Sequence, residues 1–197
     1  MQIHVTPGFF LILAIYYVME HSGLFWCIVP AILLHEAGHA LAIRICGGRI
    51  SALTFSASGL RMDYRGQFSY WCDALIAAAG PFVNLICAFL FAVLYRLGRH
   101  IWIYAAGINL ILATVNLIPA ESLDGGAILE ALLYRFLPIP HAHRILRMVT
   151  VIFSALILIF GLYIGIKTRY NIFVLCLGAG LCVRVILSDK EKCKWIV

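Results

Sequence analysis

The chain has 197 residues, 63% of them hydrophobic and only 12% charged, and carries a formal charge of +6. A soluble domain has about a quarter charged residues, so this composition excludes a water-soluble globule and places the chain in or against lipid. The Lys and Arg residues form no stripe with interleaved aromatics, so they read as basic loops at a membrane face, with no nucleic acid as partner.

Apolar spans are predicted at 7–19, 23–45, 72–95, 101–119, 145–166 and 171–188. A helix needs about 20 residues to cross the hydrocarbon, and the first span is short for that. The N-terminus lacks a basic n-region and a small-residue cleavage site, so the first apolar run is expected to stay. Six crossings put both termini on one side. If that side is the cytoplasm, eleven of the fifteen Lys and Arg residues fall inside, and only Arg96, Arg99, Lys167 and Arg169 fall outside. The positive-inside rule favours that orientation. Trp71, Trp102 and Trp195 lie near predicted span ends, where interfacial aromatics belong. The expected fold is an all-α polytopic membrane protein of about six transmembrane helices, a single embedded domain over 1–197 with its core at 23–136 and C-terminal helices at 145–188. The seven cysteines mostly lie in apolar runs without CxxC spacing, and read as small packing residues.

The second span holds His35-Glu36-Ala37-Gly38-His39. Two imidazoles and a carboxylate are costly in lipid and call for a function. On a helix His35 and His39 are one turn apart and reach the same ion, with Glu36 beside them as a base for water on that ion. With the N-terminus inside, His35 lies about ten residues from the inner helix end, roughly 15 Å deep at 1.5 Å per residue. The residues alone read as a zinc protease built within a membrane.

After this span Leu53, Phe55 and Ala57 alternate with Thr54 and Ser56, and beyond Ser58-Gly59 Leu60, Met62 and Tyr64 alternate with Arg61 and Asp63. Period-two patterning around a Ser-Gly turn predicts a short membrane-associated β-hairpin, whose edge an extended peptide would join as a further strand. The third span carries Ala79-Gly80-Pro81-Phe82-Val83-Asn84, where Gly80-Pro81 reads as a helix-packing and kink element. The fourth ends in Asn116-Leu117-Ile118-Pro119-Ala120-Glu121-Ser122-Leu123-Asp124-Gly125-Gly126. A catalytic zinc wants a third protein ligand and an open position. Few acids are available, and Asp124 stands out, because Pro119 breaks the helix and Gly125-Gly126 permits close backbone approach. The competing role for Asp124 is N-cap of a helix beginning at Gly125. Glu121 reads as a surface carboxylate. Pro138-Ile139-Pro140-His141 marks a break before the fifth span, and His141 and His143 are expected in a solvated loop.

HEAGH, then GPxxN, then Asn-x-x-Pro-x-x-x-Leu-Asp-Gly-Gly resembles the site-2 protease family of intramembrane zinc metalloproteases, peptidase family M50, and most of all its compact bacterial branch that includes the sporulation factor IVF-B proteases. The resemblance covers residues from about 30 to 136, and all three motifs stand in the family's order. It implies one zinc ion held by His35, His39 and Asp124, with Glu36 as general base and proton shuttle. It also implies that Asn116 and Asn84 line the cleft and touch substrate backbone or the developing oxyanion. Interhelical hydrogen bonding is the plainer role for both asparagines. The implied activity is hydrolysis of peptide bonds in or near transmembrane segments of membrane-associated substrate proteins in a bacterial cell membrane, with room for a regulatory membrane partner. Two departures stand out: no PDZ or CBS domain fits within these residues, and Ala120-Glu121-Ser122 replaces a stretch usually apolar or proline-rich in the family. Two other functions compete. An ion or solute transporter would use the His/Glu cluster as a path, but the chain shows no inverted repeat. An inactive homologue would bind client helices, but the HExxH and the Leu-Asp-Gly are intact.

Overall fold

A computed structural model describes residues 2–19, 24–56 and 59–168, together with 178 and 180. The predicted span at 171–188 and Trp195 therefore lie outside the described residues, apart from those two positions. The chain divides into two compact units, Met1–Asn116 and Leu117–Val197.

The first unit combines four helices with a small sheet. Helix α1 (Pro7–Met19) has 13 residues, and α2 (Phe25–Ile45) has 21. Helix α3 (Tyr70–Leu94) has 25, continued by a 3-10 turn at Tyr95–Leu97, and α4 (Ile101–Asn116) has 16. The α2 and α3 segments are long and apolar enough to cross a membrane, whereas α4 is a shorter apolar helix. Their outward faces carry exposed Trp26, Leu33, Leu41, Phe82, Phe89 and Leu90, side chains suited to lipid and not to water.

The inward faces are made of small residues. Apart from Ile43 and Ile76 at one end, the buried positions are Cys27, Ala31, His35, Gly38, His39 and Ala42 on α2, then Ala77, Gly80, Pro81, Asn84 and Ala88 on α3, and Ala105, Ala106, Asn109 and Ala113 on α4. Each set recurs at three- and four-residue spacing, one face of a helix. Lipid supplies no hydrophobic drive between helices, so association needs close backbone approach and interhelical hydrogen bonds. A Cβ on Gly38 would lie 2.7 Å from the Ala79 carbonyl oxygen, so glycine is required where α2 crosses α3. Gly80 and Pro81 sit in this packed face, as expected of a packing element.

Helix α2 ends in a Schellman cap. Gly47, at φ +81°, donates to the Arg44 carbonyl and Gly48 to that of Ile43, at 3.0 and 2.8 Å. The chain turns directly into β2 (Arg49–Ser56), which pairs antiparallel with β3 (Gly59–Arg65), Leu53 opposite Met62. The predicted hairpin is present, although Ala57 and Ser58 at its turn lie outside the described residues. A third strand was not foreseen: β1 (Gln2–Val5) runs parallel to β2, with Ile3 opposite Leu53. Four residues ahead of an apolar helix are too few to show a period. At the foot of the helices Ala42, Ile43 and Ile76 form a core with Cys46, Ile50, Phe68 and Ala79 packed on it. Burial, reinforced by a hydrogen bond with Cys72, pushes the Cys46 thiol up. Burial and the charge of Asp73 do the same to the Tyr64 phenol.

In the second unit, α5 (Asp124–Phe136) has 13 residues and α6 (Ile139–Thr168) has 30. The latter is long and apolar enough to span. It starts six residues earlier than the predicted 145, because a proline in the first helical turn loses no intrahelical bond. His141 and His143 are therefore helical and not in a loop, and His143 is half-buried. The Cys27, Cys46, Cys72 and Cys87 thiols are free. Cys176, Cys182 and Cys193 lie outside the described residues.

Candidate metal centre

His35 and His39 project from α2 into the crossing with α3, 5% and 9% exposed. Each ring is oriented from behind. Nδ1 of His39 lies 2.7 Å from the Ile76 carbonyl oxygen, and Nδ1 of His35 lies 2.6 Å from Oδ1 of Asn84. An oxygen of either type only accepts, so both Nδ1 atoms donate, and in a neutral ring of that tautomer the lone pair sits at Nε2. These two Nε2 atoms are 3.1 Å apart. A positive centre beside two such nitrogens would take both lone pairs. Two nitrogens each about 2.05 Å from a tetrahedral zinc lie roughly 3.3 Å apart, so the pair fits a bound metal.

The space beside these nitrogens is open because residue 80 has no side chain. A Cβ there would collide with Nε2 of His39 and lie 2.8 Å from Cε1 of His35. Glu36 follows His35 on the same helix turn and is half-buried. Asn84, expected to line the cleft, is wholly buried, and its amide is engaged at both ends. Nδ2 donates to the Ala31 carbonyl at 3.1 Å and to Oδ1 of Asn109 at 2.8 Å. Asn116 closes α4, half-buried, and Nδ2 donates to the Leu112 carbonyl at 3.0 Å. That bond uses one of its two hydrogens.

Asp124 stands in the second unit as the first residue of α5. Leu123 occupies the cap position, with no side-chain cap bond, so the predicted boundary shifts by one residue. The turn leading to it is tight. A Cβ on Gly125 would fall 2.6 Å from the Ile118 carbonyl oxygen, and one on Gly126 would collide with that of Ala120. Gly125-Gly126 therefore serves close backbone approach, as read from the sequence. Glu121 is half-buried, and its N–H donates to Oγ1 of Thr150 at 3.0 Å. Asn109 escaped the sequence reading. Its signal was an amide in the middle of a mostly apolar helix, two turns before Asn116.

The fold and the paired imidazoles describe a membrane protein with a candidate metal half-site on the inward face of α2. Comparison with known proteins then says what the chain is similar to. Residues 96–160 match the model of peptidase family M50. The chain is 27% identical over 150 residues to the stage IV sporulation protein FB of Bacillus subtilis, covering 74% of this chain and 52% of that protein. It is 27% identical over 145 residues to a zinc metalloprotease of Methanocaldococcus jannaschii, covering 67% of this chain and 42% of that one. The chain thus spans about half the length of these relatives or less. The solved structure of the site-2 protease from M. jannaschii superimposes with a TM-score of 0.67 at 22% identity, covering 94% of this chain and 89% of that chain. That match shows a shared fold. The resemblance to peptidase family M50 rests on the family model and the two sequence relatives, and none of these matches supports a transporter.

Proposed function

We propose that the protein is an intramembrane zinc endopeptidase that hydrolyses peptide bonds in or near transmembrane segments of membrane-associated proteins. The observation that carries it is the pair of Nε2 lone pairs at 3.1 Å, each ring held from behind by a neutral oxygen. His35 and His39 would hold the zinc through Nε2, and Asp124 would complete the set through a carboxylate oxygen. Two imidazoles and one carboxylate are a donor set typical of catalytic zinc. A zinc bound there would acidify water from a pKa of about 15.7 to about 7 and polarise the scissile carbonyl.

Glu36 then does the proton work. Its carboxylate takes the proton from the attacking water and returns it to the departing amide nitrogen. The remaining N–H of Asn116 is offered to the oxyanion that develops at the scissile carbon. Asn84 holds a different role from the one its motif implied: support comes from its burial against His35, which makes it an orienting residue. The substrate must unwind before cleavage, because a helix hides its amides in its own hydrogen bonds. In the order β1-β2-β3, strand β3 holds an outer edge to which an extended peptide would add. Six crossings with both termini cytoplasmic complete this reading, supported by the distribution of Lys and Arg.

The test is zinc content and cleavage of single-span substrates by purified wild type, Glu36→Gln and Asp124→Ala. About one zinc per chain in wild type and Glu36→Gln, with cleavage in wild type alone, is the expected result. Cleavage by Glu36→Gln removes the base assignment. Undiminished zinc in Asp124→Ala removes that ligand.

A further inference from the structure

A cavity of about 350 Å³ lies wholly within the first unit, and neither imidazole lines it. It is bounded by the start of α2, the end of α3, and the turn that leads into α4 together with the first half of that helix. Its lining changes character along the helices. At one end stand Trp26, Arg99 and Trp102, with the Phe91 ring stacked on Trp102 at 5.6 Å and 13° between planes. Towards the other end Ala31, Ala105 and Asn109 are buried. The amide of Asn109 is directed at the protein: Oδ1 accepts from Nδ2 of Asn84 at 2.8 Å, and Nδ2 donates to the Ala105 carbonyl at 2.9 Å.

Arg99 is the one charged residue in the lining. It follows Gly98, whose φ of +85° turns the chain away from the 3-10 turn and towards α4. The Arg99 side chain is exposed and has no ion pair or hydrogen bond among the described residues. A guanidinium presents five donors in a fork that matches phosphate, and indoles beside it are what the interface of a bilayer favours. Size then selects the occupant. One turn of α-helix, 10 Å across with a 5.4 Å pitch, fills about 420 Å³, more than the whole cavity, so a helical substrate segment is too bulky. From Trp26 to Leu34, and from Ile101 to Asn109, the helices rise about 12 Å. The hydrocarbon of one leaflet is about 15 Å deep, half of the bilayer core. A slot of that length, with a cation at its polar end, matches one acyl chain beneath its headgroup. Leu34 lines the slot and is exposed on the outer surface of α2, which lets a chain enter sideways from the bilayer.

We propose that this cavity is a binding site for one anionic phospholipid, with its phosphate on Arg99 and an acyl chain in the slot between α2 and α4. A zwitterionic phospholipid carries the same phosphate, but its own ammonium offsets the charge, so the site prefers a headgroup of net negative charge. The bound chain fills space between two helices of the crossing and holds them together. Neither the metal nor the protease reading is needed for this site.

The experiment uses the full chain in detergent with equal amounts of a phosphatidylglycerol and a phosphatidylcholine of identical chains, and counts the retained lipid by native mass spectrometry. Wild type should prefer the anionic lipid about fivefold, the weight of one basic residue at a charged lipid surface. Arg99→Gln should abolish the preference. Arg96→Gln, at a neighbouring exposed arginine outside the lining, should keep it. Ala105→Leu narrows the slot and should lower retention of both lipids. Glycerol 3-phosphate, a phosphate without a chain, should displace neither. Equal retention of the two lipids by wild type overturns the proposal. An equal loss of preference in Arg96→Gln also overturns it, since diffuse surface charge would then account for the effect. Displacement by glycerol 3-phosphate overturns the lipid identity and leaves a site for soluble anions. Unchanged retention in an Ala105→Leu protein of normal melting temperature removes the chain from the slot. If that variant does not fold, the glycerol 3-phosphate competition on wild type decides whether the chain is needed.

Discussion

Two histidine clusters in this molecule contain similar chemistry in different arrangements. In the first unit His35 and His39 meet at Nε2, and both Nδ1 atoms face neutral oxygens. In the second, Tyr134 donates its hydroxyl to Oε1 of Glu130 at 2.5 Å and lies 2.9 Å from Nε2 of His143. Because that hydroxyl is given to the carboxylate, its oxygen accepts, and Nε2 of His143 is the donor. Nδ1 of His143 lies 3.4 Å from the same carboxylate. Histidine, carboxylate and phenol are close together there, yet hydrogen bonds through the Tyr134 hydroxyl already join them. Proximity of metal-ligating residue types therefore decides little, and the direction of the donors decides a great deal.

The largest effect should come from breaking the first cluster at its base. Glu36→Gln keeps the shape and removes the proton acceptor. General-base catalysis contributes about 10²- to 10⁴-fold, so cleavage should fall by at least that range while zinc content holds. His35→Ala removes a ligand and should lower both together. Parallel metal analysis and substrate cleavage separate the two. A zinc-free Glu36→Gln would make the carboxylate part of the binding site and not of the proton path.

The next effect is steric and exploits a contrast between two glycines. Gly80→Ala puts a methyl group against both imidazoles, whereas Gly107 has nothing within 4 Å of a Cβ built on it. Both sit within helices. Gly107→Ala should be neutral or stabilising, since alanine gains about 0.5–1 kcal/mol over glycine there. Gly80→Ala should lose zinc affinity by tenfold or more, the size of effect seen when ligand orientation is disturbed. Chelator competition and thermal melting on the two variants provide the check. Equal behaviour would mean that the imidazoles can move aside and that the space over Nε2 is not tightly set.

Much of this was legible in the chain. HEAGH declares itself because buried imidazoles in an apolar run have few structural uses. The hairpin declares itself by its period of two, and the tight turn before Asp124 by Pro119 and Gly125-Gly126. What stayed hidden has a common cause. The third strand, the engagement of Asn84 by His35 and the placement of Asn109 are contacts between segments 25 to 53 residues apart, and they leave no local period. Asn84 was visible as part of a motif, but a motif names a residue without saying which way its amide faces. Asn109 had only its polarity to mark it, and polarity alone does not say which helix it will bond.

The smallest effect should come from the second cluster. His143→Phe keeps an aromatic ring, which now stands 5.6 Å from that of Tyr134, and removes both ring nitrogens. Glu130 and His143 are each about a third exposed at the side chain, so water can replace what is lost. Exposed pairs of this kind contribute about 0–1 kcal/mol, and the Tyr134–Glu130 bond survives the change. The expected outcome is a small fall in melting temperature, with zinc content and cleavage unchanged. The same substitution at His35 should abolish both, although it removes the same atoms. A His143→Phe protein that lost zinc would tie the second cluster to the ion, and donor direction would no longer separate it from the proposed metal site.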